Sequence, residues 1–563
     1  MKNLLFVVTI EFIFTSFGFA EENPTISISI SKTVVSEKNV VISSENIKGS
    51  VSETLENSGI DIQRNTVHPN ISLKGATFQQ SSIFVDGVKI DDPQTAHNNL
   101  NIPVPVEDIE KIEVLSDKGL AGAINIITKK PDNKISTDIS VGDFFTKNGN
   151  ISVSHKWDKF ANRLSFEKKV SDGFSFDTDY DITNLSNRFE WKLSELEAGF
   201  SFGYLKKDLG ARGFYADYPS YEWTETYLSK IDLNYEYNGF IVKPEFQWKQ
   251  NNDEFELDIR KPGWSFNKHK TDVFTTQVTV SKNNFSLTPS VSNEKINSSN
   301  LGKHKRDVYD VSTDYNYSFT QDVNSTLGIR YSEFSGNSLV LPYFLSSYNF
   351  SGKTKLYLLF RESARQPSFT ELYYNDKANT GNSSLNFEKA TLYETGVNYD
   401  FLSLNLFLRD EKDIIDWIRW STTQKWQATN IGNARFYGYA INIIAAAPLR
   451  VLYTYTNSEK NADYVSKYAL RYAHHLLTGE ISYPIIYGVE HSVDGIYKKR
   501  VSGEEYFVMD TKISKEFSLG ATAESPVGNY YIEVDNLLDK NYTEIPFVPM
   551  PPRIVHVGIE LAF

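Results

Sequence analysis

Residues 555–563 alternate cleanly: Val555, Val557, Ile559, Leu561 and Phe563 are apolar, and His556, Gly558, Glu560 and Ala562 take the positions between them. A strand has a side-chain period of two, so these sets occupy opposite faces. Terminal residues of soluble domains ordinarily fray. An apolar-faced strand that stops on an aromatic fits the closing stave of a membrane barrel, whose outer face meets lipid.

At 563 residues the chain has room for several average domains, although barrels run long as one unit. Aromatic residues make up 14% of it, with Tyr 33 and Phe 37, a surplus that the interface girdles of a barrel would use. The mean hydropathy of -0.38 does not oppose this, because barrel strands are apolar only at alternate positions and outer loops dilute them. Beyond the N-terminus no uninterrupted apolar run is long enough for a spanning helix. The net charge of -13 argues against nucleic acid as a partner, since phosphate binding needs a basic face. With Cys 0 there is no disulfide framework, thiolate metal site or cysteine nucleophile. Residues 1–20 read as a cleaved secretory signal: Lys2 at the start, an apolar run from Leu4 to Phe19 interrupted by Glu11, and Gly18-Phe19-Ala20 as the cleavage site. The alternative, an N-terminal anchor, would have to span with a short segment.

Three textures follow. Residues 21–38 are polar, with one alternating run at Ile26-Ser27-Ile28-Ser29-Ile30. Residues 39–131 carry few aromatics and an α+β pattern: a helical turn at Val51–Asn57, a strand at Ser82–Val88 that ends in the turn Asp86-Gly87, another at Ile109–Leu115 and a third at Gly122–Thr128. The last is continuously apolar, as for a strand buried on both faces, and Pro131 ends the segment. From 132 to 563 alternating segments dominate. Leu402, Leu404, Leu406 and Leu408 share one face, with Ser403, Asn405 and Arg409 opposite, after a tight turn at Asp400-Phe401. Leucine against polar residues is what a wall between lipid and a wet lumen requires; a soluble sandwich would invert the exposure. About 430 residues, at roughly 20 per strand with its loop, predict an all-β transmembrane barrel of about 22 antiparallel strands, a width whose lumen must be plugged. The α+β module is the expected plug.

The motifs resemble those of TonB-dependent outer-membrane receptors. Leu73-Lys74-Gly75, Ile83-Phe84-Val85-Asp86-Gly87-Val88, Ile109-Glu110-Lys111-Ile112-Glu113-Val114 and Gly122-Ala123-Ile124-Asn125-Ile126-Ile127-Thr128-Lys129 follow that family's plug elements in order. Arg365-Gln366-Pro367-Ser368-Phe369-Thr370-Glu371-Leu372-Tyr373, Asp413–Trp417 and Asn536–Tyr542 resemble barrel elements of the same family. One departure is plain: only Leu115–Ala121 fills a plug stretch that is usually longer, so a plug loop is missing or remodelled.

The resemblance implies site residues. Asp91, Asp92, Gln94, His97, Asn98 and Asn99 lie in a polar, turn-rich loop similar to one that touches substrate in cobalamin-type members; a solvated turn is the alternative. Phe214 and Tyr215 sit in an aromatic loop that would stack on a ligand ring or pack at an interface. Asp177, Asp179 and Asp181, at alternate positions, are candidate calcium ligands, although no Gly and no distal Glu complete a calcium loop. His474-His475 face opposite ways on a strand and share no metal. The segment that would couple to TonB is either Ile26, Ile28 and Ile30 or Thr33, Val34 and Val35.

These features imply an active importer in the outer membrane of a Gram-negative-type bacterium, monomeric and surrounded by lipid. It needs no cofactor, calcium aside, and draws energy through TonB and its inner-membrane complex. Cobalamin or another corrinoid is the expected ligand, and a ferric siderophore is the alternative. A passive porin would not need the 39–131 module. An outer-membrane hydrolase would need a nucleophile or carboxylate site, and none stands out.

Overall fold

The computed structural model describes residues 34–35 and 39–563, apart from 66, 335, 445–448, 460–462 and 521–525. The expected signal and Ile26, Ile28, Ile30 and Thr33 lie outside the described residues.

From Lys134 onward the chain winds 22 antiparallel strands into a closed barrel. The strand Ile554–Ala562 pairs with Lys134–Gly142 to close it, Ile559 opposite Ile139. Beyond that ladder, Phe563 N–H donates to the Ile135 carbonyl at 2.8 Å. The alternation sorts as the lipid wall demands. Val557 and Ile559 are exposed on the outside, while Glu560 turns inward to meet Lys512 at 3.2 Å. On Leu402–Lys412, Leu402 and Leu406 are exposed, whereas Phe407, Arg409 and Glu411 are buried in the lumen.

The two rims differ. One has short turns, such as Asn238-Gly239 with φ of 51° and 75°; an Asn-Gly pair with both φ positive matches the right-handed twist of its flanking strands. Exposed rings band this rim: Trp157, Trp191, Tyr237, Tyr317, Phe319, Phe350 and Phe401, an aromatic girdle that accounts for part of the compositional surplus. The other rim carries long loops with their own elements, including the helix Phe369–Tyr373 and a sheet of Asn379–Thr380, Trp426–Asn430, Ile415–Arg419 and Val465–Ser466. Short turns face the periplasm and long loops the outside.

Residues 39–128 fill the lumen. Their sheet runs in the order Val34–Val35, Asn39–Ser43, Ile109–Leu115, Ala123–Thr128, Ser82–Val85, Val88–Lys89. Ala123–Thr128 lies between an antiparallel and a parallel neighbour, which explains its unbroken apolar run. The helix Val51–Asn57 starts at Ser50, whose hydroxyl accepts the Glu53 N–H. The Asp86-Gly87 turn is pinned because the Asp86 carboxylate accepts the N–H and hydroxyl of Thr128, each at 2.8 Å.

Inward-facing cations of the wall hold the plug by its backbone. Arg361 donates to the carbonyls of Gly119 (2.6 Å) and Leu120 (3.0 Å), and Arg409 to that of Lys74 (2.9 Å). Lys230 reaches Asp86 O (2.9 Å) and Lys249 reaches Ile90 O (2.7 Å). Lys498 and Arg500 converge on Ile62 O (2.9 and 3.0 Å). Carboxylates join in: Asp108 meets Arg163 at 2.6 Å, and Lys74 meets Glu394 at 2.6 Å. The short stretch 116–121 is therefore gripped rather than loose. Beside it a cavity of about 180 Å³ remains between plug and wall, lined by Leu115, Gly122, Tyr357, Asn405 and Leu452. Hydrogen bonds to charged groups each contribute ~1.5–3 kcal/mol. Arg361→Ala is expected to lower the urea concentration at which the plug alone unfolds, by an amount equivalent to about 3 kcal/mol, with barrel melting unchanged; protease access to residues 116–121 measures it.

Candidate functional site

At the outer mouth the plug presents two histidines. The hairpin of Asp61–Arg64 and Pro69–Ser72 turns through Asn65, whose side-chain carbonyl accepts the N–H groups of Val67 (3.0 Å) and His68 (2.7 Å). Such an Asx turn fixes the backbone locally and so holds His68 up. A short 3-10 turn, Ala96–Asn98, follows Thr95 and carries His97. The His68 Nε2 lies 3.0 Å from the His97 carbonyl oxygen, and the His97 Nδ1 lies 2.9 Å from Asn70 Oδ1.

Rings from plug and outer loops close around them. His97 stacks on Phe78 with centroids 4.1 Å apart and meets Phe214 (5.7 Å), Tyr215 (5.5 Å) and Tyr468 (6.0 Å) edge-on. His68 packs on Phe214 at 4.6 Å, and Tyr215 on Phe255 at 4.8 Å. Tyr215 donates its hydroxyl to Glu222 at 3.0 Å, and His68 Nδ1 lies 3.3 Å from the same carboxylate oxygen. Burial, then the neighbouring His68 and Lys467, hold His97 well below the usual imidazole range. Burial, then the carboxylates of Glu222 and Asp253, hold the Tyr215 phenol well above its usual range. The cluster thus offers the half-buried rings of His97, Tyr215 and Tyr468, backed by the buried His68, Phe78 and Phe214, as a surface able to stack on a flat ligand and hydrogen-bond at its rim.

Cations sit on rings around this cluster. Arg419 lies 4.3 Å over Trp426, and Lys467 lies 5.2 Å over Tyr468 and 5.8 Å over Trp426. Lys261 and Lys377 flank Trp264 at 5.3 and 5.9 Å. The Arg365–Tyr373 motif ties the mouth to the plug. Ser368 and Glu371 form a capping box, Arg365 grips Glu371 at 2.9 and 3.0 Å, and the N–H groups of Phe369 and Thr370 donate to the carbonyls of Pro93 (2.8 Å) and Gln94 (3.1 Å).

His97, Phe214 and Tyr215, named from separate segments of sequence, therefore meet in one cluster. Their loop neighbours do not join it. Asp92 is buried and accepts from Gln94 N–H (2.9 Å) and the Thr271 hydroxyl (3.0 Å). Gln94 donates to Asp253 (3.0 Å), and Asn99 accepts from Asp92 N–H (2.8 Å). Asn98 is buried, and Asp91 accepts from Ile83 N–H at 2.7 Å. These groups seat the loop against the plug and wall instead of facing outward. His68, Phe78, Tyr468, Glu222 and Lys467 are the additions that the structure makes.

The three aspartates proposed for calcium are separated. The chain turns at Asp177 (φ 62°), Asp179 accepts the Tyr221 hydroxyl at 3.0 Å, and Asp181 pairs with Lys168. Among the described residues no group of three or more His, Asp or Glu converges to hold a metal. Both carboxyl oxygens of Asp177 are buried without a hydrogen-bond partner. Burial, then Asp179, pushes Asp177 up to about 7. A free Asp titrates near 3.9, so the folded loop binds the proton more tightly, and its stability falls as pH rises from about 4 through 7. Asp177→Asn is expected to protect loop 172–179 from proteolysis at pH 8 and to lose that advantage as pH approaches 4.

Residues 125–543 match the family model described as TonB dependent receptor-like, beta-barrel, and residues 24–125 match that of the TonB-dependent Receptor Plug Domain. The fold is similar to that of the siderophore receptor PirA from Pseudomonas aeruginosa (TM-score 0.74, 16% identity, 94% of this chain and 100% of that one). A point mutant of the ferric enterobactin receptor PfeA of Pseudomonas aeruginosa aligns with TM-score 0.74 at 13% identity over 94% of this chain and 100% of that one. The copper transporter OprC aligns with TM-score 0.75 at 13% identity over 93% and 100%. No curated protein sequence matches the chain. With both halves of the architecture matched in order and the barrel closed around its plug, the chain belongs to the TonB-dependent receptors of the outer membrane.

Proposed function

We propose that the protein imports a ferric siderophore, an aromatic and anionic iron chelate, through TonB-driven remodelling of its plug. The observation that carries this reading is the mouth itself: rings at His97, Phe214, Tyr215 and Tyr468, with Arg419, Lys467, Lys261 and Lys377 placed over neighbouring rings. Flat aromatic arms stack on such rings, and the cations offset the negative charge of the chelate. The siderophore receptors among the similar folds support the same choice. The corrinoid reading rests on the loop Asp91–Leu100 and the modest barrel length; in that loop Asp92, Gln94 and Asn99 are taken up by hydrogen bonds to the plug and wall, and His97 joins the ring cluster. For copper, the cargo OprC is named for, no group of three or more His, Asp or Glu converges among the described residues.

Binding outside must alter the plug inside, and the clamp of Phe369 and Thr370 on Pro93 and Gln94 is the contact through which it does so. On the periplasmic side Val34–Val35 forms a two-residue edge strand, Val34 opposite Val41 and Val35 opposite Val40. So short an edge detaches at small cost and can add to a partner's sheet by strand pairing. A ligand promotes that release only if it binds the released state more tightly.

Uptake of a radiolabelled ferric catecholate by cells carrying this receptor, with and without TonB, tests the reading. Saturable uptake that vanishes without TonB is expected; cobalamin uptake without siderophore uptake rejects it. Arg419→Ala combined with Lys467→Ala should weaken ligand binding about ten-fold, equivalent to ~1.4 kcal/mol. Val34→Pro with Val35→Pro should leave binding intact and abolish uptake, since proline cannot donate to the strand ladder.

A further inference from the structure

The cavity of about 180 Å³ between plug and wall is bounded mostly by apolar side chains, Leu115 from the plug and Tyr357, Phe407, Leu452 and Leu476 from the wall. It opens toward the periplasm. Along Glu388–Tyr399 the inward-facing side chains pass from buried Glu394 to half-buried Asn398, and along Leu402–Lys412 from buried Phe407 to half-buried Asn405 and Ser403. Exposure therefore rises toward the short periplasmic turn Asp400-Phe401 that joins these two strands.

The polar groups of the lining are of two kinds. Glu394 accepts from Lys74 at 2.6 Å and from the Asn405 amide at 2.7 Å. Arg450 differs: it is 9% exposed, and its Nε and Nη2 have no hydrogen-bond partner among the described residues. Its cross-strand neighbour on the inner face is Glu480, but Lys48 takes that carboxylate at 3.0 Å together with Asp494 at 3.1 Å. Asn398 Nδ2 and Asn442 Oδ1, in the same lining, are buried and unpartnered as well. A buried charged donor left unpaired is costly, and native structures ordinarily give such a group a partner. Nε and Nη2 lie along one edge of the guanidinium plane, the edge that receives a carboxylate through two parallel N–H···O bonds. One uncompensated cation suits a monoanion, whereas a phosphate dianion would lack a second cation. The apolar remainder suits a hydrocarbon body. An apolar cavity of about 150 Å³ takes benzene, so this one has room for a single ring and its carboxylate.

We propose that the cavity is a periplasm-facing binding site for a small aromatic carboxylate, with its two oxygens on Arg450 Nε and Nη2 and its ring among Leu115, Tyr357 and Leu452. Gly59, Leu115 and Gly122 of the plug complete the site with the wall. The occupant therefore binds only while the plug is docked, and by mass action it holds the plug there. The site is separate from the outer mouth and does not depend on which chelate the mouth takes. The test titrates the purified full chain with para-fluorobenzoate, followed by fluorine NMR, with para-fluorobenzamide as the uncharged counterpart. Saturable binding of the carboxylate is expected, with the amide about ten-fold weaker. Arg450→Gln should weaken the carboxylate to the level of the amide. Ala440, in the lining, offers a second variant: Ala440→Leu fills the cavity, leaves Arg450 in place and should abolish binding of both compounds. Unchanged barrel melting verifies that each variant folds. Saturating carboxylate should also raise the urea midpoint of plug unfolding in the unsubstituted chain and not in the Ala440→Leu chain. No saturable binding, equal binding of acid and amide, binding unmoved by Arg450→Gln or retained in Ala440→Leu, or an unmoved midpoint would each overturn the proposal.

Discussion

The structure depends on charged donors of the wall aimed at backbone carbonyls of the plug. A lumen that presents Arg361, Arg409, Lys249, Lys498 and Arg500 would leave costly unpaired charges if it were filled with an apolar module. The plug answers with what any backbone supplies, carbonyl oxygens at Ile62, Lys74, Ile90, Gly119 and Leu120, and with carboxylates such as Asp108. Where the acceptors are main-chain atoms, that part of the seal does not depend on particular plug side chains, whereas Asp61, Lys74 and Asp108 add side-chain pairs to it. The short stretch 116–121 is gripped in the same way, at Gly119 and Leu120. The contacts are also polar on both sides, so water can replace them when the plug moves, which an apolar interface would resist.

Much of this wall can be read directly. The runs Leu402–Leu408 and Val555–Leu561 sort lipid from lumen because the strand period is two and the outer solvent is hydrocarbon. The plug strand Ala123–Thr128 is legible for the same reason, with burial on both faces in place of alternation, while Ile109–Leu115 keeps Ile109, Ile112 and Leu115 buried and Glu110 exposed. The mouth is less legible. His97, Phe214 and Tyr215 each stand out locally, but nothing in the chain links residue 97 to 214; only barrel closure does. His68 has a local signal in the Asn65 turn. Tyr468 and Lys467 lie in an outer loop with no periodicity to mark them. The polar loop 91–100 reads as solvated because composition cannot distinguish water from a polar wall. The spacing of Asp177, Asp179 and Asp181 gives a shared face only if the segment is straight, and it turns at Asp177.

Two faces of the molecule are therefore chemically opposite. The outer mouth offers rings and cations, suited to an anionic aromatic guest. A second cavity between plug and wall, toward the periplasm, is lined instead by carboxylates on the strands from Val489 to Ala562.

The placement of the wall's grips along the plug has a mechanical consequence. Tension applied at Val34 travels first through Asn39–Ser43 and then meets the wall contacts at Lys48, Gly49, Asn57 and Ile62, before those at Lys74, Ile90 and Leu120. Bonds loaded in succession fail one after another, as in opening a zip, whereas bonds loaded together resist as a sum. A weak pull sustained over distance can therefore open this seal, while pressure spread across the whole plug, such as an osmotic load, meets every grip at once.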